Sequence, residues 1–423
     1  MIVEDQSEIV EMTRVDQDER FDRLAERGRL DLELMRPLGA EVAAFHAGAE
    51  RCGDHGGPIA IARVINGNAV AFREQGSGIL DGPVCAALVS ASRAALDVRR
   101  MVLDRRRAAG FVRQCHGDLH LGNIVRLDGE PTLFDAIECR DELSCIDVQY
   151  DLAFLLMDLW RRQLPRHANA VLNGYLAANA DFDGLEALPL FLSCRAAIRA
   201  KIAATAATLA SEAAVREGLC HDARGYLQAA VQLLGPRRPA LVAIGGLSGT
   251  GKSTLARSLA PSIGPVPGAV VLPSDELRKR LCGVPELTRL GPNGYTDDVS
   301  RRVYDTLVSH AADVVRAGHS AMVDAVFMHA RDREAIAQAA QSAGVPFVGL
   351  WLDASEAVLV ERVRHRSADA SDADATVVRM QIARDAGAVT WNRLDASPET
   401  DAVARQAVRL LESSVRGAVT LAA

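Results

Sequence analysis

The sequence predicts an α/β chain in two parts. Residues 1–236 read as mostly helical, and residues 237–423 as a five-stranded parallel sheet flanked by helices. Three observations carry this. After residue 239, short apolar runs alternate with helical patterns, which is how strands joined by crossover helices read. Before it, the pattern is helical and alanine-rich, broken by one hairpin signal. Between them, Gly235-Pro236-Arg237-Arg238-Pro239 is a run of breaker residues. A chain of 423 residues exceeds one core, and 49% hydrophobic content is ample for two.

Composition narrows the class. A net charge of −7 argues against a general nucleic-acid surface. The 8 cysteines include no C-x-x-C pair, so neither a zinc site nor a disulfide framework is indicated. Reduced thiols fit a cytoplasmic protein. Met1-Ile2-Val3-Glu4-Asp5-Gln6 lacks the basic and apolar regions of a signal peptide. No apolar run reaches the roughly 18 residues a membrane helix needs.

Within the first part, 9–15 is a candidate strand. A helix over 21–27 should stop at Gly28. Helical spacing continues from Leu30 to His46 and over 82–109, while 50–80 shows no clear pattern. Cys115-His116-Gly117-Asp118-Leu119-His120-Leu121-Gly122-Asn123 then fits H-x-D-x-x-x-x-N, the catalytic-loop spacing of kinase-like phosphotransferases. A hairpin follows, with Asp128-Gly129 as its turn. It places Asp135 after the second strand. Asp118 would accept a proton from an acceptor hydroxyl. Asn123 and Asp135 are candidate Mg2+ ligands, since hard cations prefer oxygen donors. Residues 150–234 read as helical, with Phe154, Leu155, Leu156, Leu159 and Trp160 as core.

The motif 116–123, Phe134-Asp135 and Tyr150-Asp151-Leu152-Ala153 together resemble the C-terminal lobe of the aminoglycoside phosphotransferase family, which includes choline-kinase-like enzymes. The resemblance covers roughly 15–215. It implies a helical lobe around a small hairpin, with Asp151 bracing the catalytic loop. Such kinases also need a nucleotide-clamping lobe with a strand lysine. Here no lysine precedes Lys201, and no G-x-G-x-x-G occurs upstream. The expectation is therefore a truncated or degenerate first site: either the chain starts late, at an internal methionine, or this half is catalytically dead.

In the second part strands are expected at 240–245, 268–272, 319–323, 346–352 and 389–394. After the first comes Gly246-Leu247-Ser248-Gly249-Thr250-Gly251-Lys252-Ser253-Thr254, which fits the phosphate-binding P-loop, G-x-x-x-x-G-K-[ST]. Its backbone amides and the following helix N-terminus suit an anion. Lys252 would reach the β- and γ-phosphates and Ser253 would hold Mg2+. Ligands in parallel sheets bind at the carboxyl ends of the strands. Asp275, Asp324 and Asp353 fall there. Asp275 is the candidate for the acceptor hydroxyl, with Arg278 one turn on for an anionic group. Asp324 is the candidate Mg2+–water ligand. Glu361 to Asp374 reads as a mobile lid, in which Arg362 and Arg366 are candidates to neutralise the transferred phosphoryl group.

The P-loop, Ser274-Asp275 with Arg278, and Val323-Asp324-Ala325 resemble P-loop kinases acting on small metabolites, polynucleotide ends or toxin targets, such as the gluconate-kinase-like and zeta-toxin-like groups. The order of parts resembles a bacterial two-domain family often described as bifunctional. The resemblance implies an ATP-dependent phosphotransferase with a P-loop NTPase domain, MgATP, and a small-molecule hydroxyl acceptor. Other readings stay open. They are an ATP-binding switch or scaffold, a 5'-hydroxyl polynucleotide kinase, and antibiotic modification by the first half.

Overall fold

The computed structural model describes residues 16–74, 76, 78–137, 140–235, 238–365 and 370–420, the last nine by backbone alone. The strand expected at 9–15 lies outside them.

The first half is helical around two small ribbons. The helix Phe21–Glu26 ends at Gly28, as its sequence implies. Helix Met35–Gly48 crosses helix Pro165–Asn179 at backbone contact. A Cβ on Gly39 would lie 2.2 Å from the Val171 carbonyl, and one on Gly174 equally close to that of Arg36. Only glycine fits at such a crossing. Helix Gly57–Glu74 lies where the sequence shows no clear pattern. It holds because Ile61, Ile65 and Phe72 are buried, which outweighs poor helix formers such as Gly67. Gly82–Ala108 is a single helix capped by the Asp81 carboxylate.

Strand β1 (Val112–Gln114) leads into the 115–123 loop. β2 (Ile124–Leu127) and β3 (Glu130–Leu133) form the expected hairpin. Its turn residues Asp128 and Gly129 both have positive φ, as a tight two-residue turn demands. β4 (Cys145–Asp147) pairs antiparallel with β1, a ribbon that the sequence reading does not foresee. Helices Val148–Arg161 and Leu188–Leu209 supply the fully buried centre, including Leu152, Leu155 and Phe191.

The second half holds five parallel strands: β5 (Leu241–Gly246), β6 (Val270–Pro273), β7 (Ala321–Asp324), β8 (Phe347–Asp353) and β9 (Asn392–Asp395), in the order β6-β7-β5-β8-β9. Each lies within a few residues of its expected place. Side chains alternate across the sheet. Leu241 and Ala243 face one core, with Val303, Leu307 and Ile336. Val242 and Ile244 face another, with Leu255, Val403 and Ala407.

The halves meet at β6, the sheet edge. Asn169 of helix Pro165–Asn179 donates its amide to the Ala269 carbonyl (3.0 Å), and the Asn173 amide oxygen accepts from the Val271 N–H (2.7 Å). Two side chains thus stand in for a missing neighbouring strand. No helix among the described residues is long and apolar enough to cross a membrane.

Candidate active site

The P-loop sits where β5 turns into helix Lys252–Leu259. Gly249 and Gly251 both have φ near +85°. A Cβ on Gly249 would also lie 2.8 Å from the Leu359 carbonyl, so the helix Glu356–His365 covers the loop closely. Lys252 Nζ donates to the Leu247 carbonyl (3.0 Å). Thr250 Oγ1 donates to the same carbonyl (2.8 Å) and pins the loop's curl.

Behind the loop, Ser253 Oγ donates to Asp324 Oδ1 (3.2 Å). Asp324 ends β7 and is 3% exposed, and its Oδ2 has no hydrogen-bond partner among the described residues. Burial raises its pKa to about 7; Lys252 opposes the rise and Asp275 adds to it. A buried carboxylate with an orphan oxygen beside a hydroxyl is a donor set that suits a hard divalent cation.

On the acceptor side, helix Ser274–Leu281 begins directly after β6 and carries Asp275 in its first turn, half-buried. No hydrogen bond engages the Asp275 carboxylate among the described residues. Arg278 is buried. Its Nη1 donates to the Gly294 carbonyl (2.8 Å) and to Ser300 Oγ (3.2 Å), its guanidinium lies over the Tyr295 ring, and its Nε has no partner among the described residues. Arg278 therefore anchors the 292–300 wall of the site and keeps one donor free.

The lid differs from expectation. Arg362 donates from its two terminal nitrogens to the carbonyls of Ala396, Ser397 and Pro398, clamping the loop after β9. The face its helix turns to the P-loop is apolar, Leu359 and Val363 packing with Leu247. In this structure Arg362 is thus a structural clamp. Arg366 lies outside the described residues. Asp353 accepts from Trp351 Nε1 and Arg393 and sits on the far side of the sheet from β6.

Two further contacts escape sequence reasoning. The Gln381 amide accepts from the Ser248 N–H (2.8 Å) and donates to Ser248 Oγ (3.1 Å), tying helix Ala375–Ala383 to the P-loop. Asp372 accepts from Lys279 Nζ, the Tyr295 hydroxyl and the Leu290 N–H. No local pattern marks either residue.

In the first half, Asp151 is fully buried and accepts from the backbone N–H groups of His116 (3.1 Å) and Gly117 (2.9 Å), with His46 Nε2 at 3.1 Å. Arg195 holds the same loop through the Gly117 carbonyl, a role its alanine-rich helix conceals. Asn123 donates to the backbone carbonyl and the carboxylate of Asp118. A hydrogen bond from His120 draws the Asp118 pKa down. Asp135 is exposed, with φ +62°. The loop is thus braced from behind by Asp151 and Arg195.

Fold and site together define a kinase-like phosphotransferase lobe followed by a P-loop kinase fold. Residues 81–190 match a family model described as the phosphotransferase enzyme family, and residues 241–386 match one described as an AAA domain. Uncharacterized proteins of Mycobacterium tuberculosis and Mycobacterium bovis are 29% identical over 386 residues, 89% of this chain and 75% of theirs. Among solved structures, a gluconokinase from Sinorhizobium meliloti is 20% identical, with a TM-score of 0.34, covering 44% of this chain and 100% of that one. The APS kinase of Mycobacterium tuberculosis, in complex with AMPPNP and APS, is 23% identical, with a TM-score of 0.30, covering 42% and 99%.

Proposed function

We propose that the chain is an ATP-dependent phosphotransferase acting on a hydroxyl of a small metabolite, with its working site in the second half. The observation that carries this reading is the buried Asp324, its orphan oxygen set beside Ser253 at the mouth of the P-loop. That arrangement has little purpose without a cation and a polyphosphate.

The nucleotide's phosphates would lie on the amides of Gly249 to Thr254, where the helix N-terminus favours negative charge. Lys252 would leave the Leu247 carbonyl for the β- and γ-phosphates. Ser253 and Asp324 would hold Mg2+, which when bound neutralises charge on the phosphates. Asp275, in the first turn of its helix and half-buried, would orient the acceptor hydroxyl and take its proton. The helices over 356–365 and 375–383, held by Leu359, Val363 and Gln381, would keep water from the transferred group. The first half would serve as scaffold rather than as a second nucleotide site.

Calorimetric titration with a non-hydrolysable MgATP analogue tests the first step. One site per chain, lost in Lys252→Ala, is expected. Two sites, or one that survives the substitution, would remove the reading. Acceptor-stimulated turnover against hydroxylated metabolites tests the second step. Tight nucleotide binding without any such stimulation would favour the switch, and phosphate transfer to an oligonucleotide end would favour the polynucleotide kinase.

A further inference from the structure

A cavity of about 620 Å3 lies between the two halves, below the edge strand β6. Interfaces between structural units are common places for small-molecule sites. Leu176 and Phe182 of the first half face Leu272, Leu277 and Leu307 of the second across it, so much of its wall is apolar. Its polar rim is mostly basic, with Arg36, Arg166, Arg257 and Arg280.

The acids there do not balance these arginines. Glu276 is already shared. Arg36 grips it with both terminal nitrogens, and Arg257 Nη2 donates to it at 2.8 Å. Glu33 and Asp401 are the other lining carboxylates, and neither pairs with an arginine among the described residues. Arg166 and Arg280 have no hydrogen-bonded partner among the described residues. Burial lowers the Arg280 pKa; Glu276 opposes the fall, Arg36 adds to it and Glu286 opposes it, and both acids are already hydrogen-bonded by Arg36. An anion entering the cavity would therefore meet two unengaged guanidinium groups, the side chains best suited to carboxylate and phosphate.

The cavity also shares a wall with the candidate active site. Helix Ser274–Leu281 lines it with Glu276, Leu277 and Arg280, while Asp275 and Arg278 of the same helix belong to the acceptor side. An occupant would press on the helix that sets Asp275.

We propose that this cavity is an effector site for a small organic anion, an apolar body bearing one carboxylate or phosphate, whose occupancy is transmitted to Asp275 through their common helix. The coupling rests on the reading of Asp275 given above; the site itself does not.

The test uses the full chain with saturating non-hydrolysable MgATP analogue, so that the P-loop is filled. The probe is 8-anilinonaphthalene-1-sulfonate, an aromatic anion that fluoresces on leaving water. A single saturable site is expected. Its affinity should fall about tenfold or more in Arg280→Glu, which reverses an exposed rim charge, and in Ala177→Trp, which fills the cavity. The uncharged N-phenyl-1-naphthylamine should be indifferent to Arg280→Glu, and inorganic phosphate alone should not displace the probe. Probe binding unchanged by both variants would place it elsewhere and overturn the site.

Coupling is read separately, as basal ATP hydrolysis without acceptor. Saturating probe should change the rate at least about twofold in the unmutated chain and not in Ala177→Trp. Binding in the cavity with no change in rate would overturn the effector role. Failure of the kinase reading shows independently, as nucleotide binding that survives Lys252→Ala.

Discussion

The Lys279 ammonium lies 2.6 Å from the Asp372 carboxylate, and the two side chains are only 2% and 10% exposed. The pair joins the helix that carries Asp275 to the far end of the 361–374 segment. Its second oxygen holds Tyr295 and the Leu290 N–H, so one carboxylate fastens three parts of the acceptor wall. Removing one partner of such a pair leaves a buried charge. Asp372→Ala should therefore cost about 3–5 kcal/mol, read as a fall in Tm, whereas Lys279→Met with Asp372→Leu should recover most of it. A single variant as stable as the unmutated chain would show the pair to be solvated in solution.

The pH dependence of this fastening has a definite sign. Burial would raise the Asp372 pKa, but the Lys279, Tyr295 and Leu290 hydrogen bonds together hold it below the ordinary value. A carboxylate depressed on folding stabilises at neutral pH, and that contribution is lost as pH falls through the acid range. Asp372→Asn should flatten the acid limb of a Tm–pH curve.

Asp324 runs the other way. Its pKa is raised to about 7, so its contribution is fully present below the unfolded value near 4 and is lost as pH rises through 7. Without cation, Asp324→Asn should be more stable than the unmutated chain at pH 8, on the order of a few kcal/mol. Mg2+ binding should displace the proton below pH 7. The apparent affinity would then weaken about tenfold per pH unit, a dependence that Asp324→Asn abolishes. Calorimetry at pH 6, 7 and 8 reads both.

Gln381 braces the P-loop from the lid side. Gln381→Ala leaves the Ser248 N–H without its partner, at a cost of about 1–2 kcal/mol. The loss should appear as a Tm lower by a few degrees and, because the contact holds the P-loop closed, as a Kd for the MgATP analogue up to about tenfold weaker. Equal Kd values would mean that the lid closes without this contact.

Asp118 offers a negative control of the first half. Asp118→Asn should leave the stoichiometry and affinity of the MgATP analogue unchanged, because the proposed nucleotide site lies on the P-loop and Asp135 stands exposed. A lost site would assign nucleotide chemistry to both halves.

What the sequence makes legible is local. The P-loop, the Asp128-Gly129 hairpin and the five strands are each written in a short window, where spacing and turn chemistry suffice. The Asp151 brace follows from a resemblance rather than from spacing. The long-range pairs are hidden, because Lys279 and Asp372 are 93 residues apart, and Ser248 and Gln381 are 133 apart. Arg362 shows the opposite fault. A cationic lid helix invites a phosphate role, but only packing decides which of its faces meets the loop. Helix Gly57–Glu74 was obscured by its own glycines and held by burial that no window displays.

The asparagine pair of helix Pro165–Asn179 that covers β6 bears on how this chain can be dissected. A fragment begun at Arg238 would keep every strand and the whole P-loop, yet it would lose Asn169 and Asn173 and bare a row of amides and carbonyls along its rim. Such a rim recruits any extended polypeptide. The excised kinase would self-associate or precipitate at concentrations where the intact chain stays dispersed, so its poor behaviour in isolation would reflect a missing chaperone in cis rather than a defective active site.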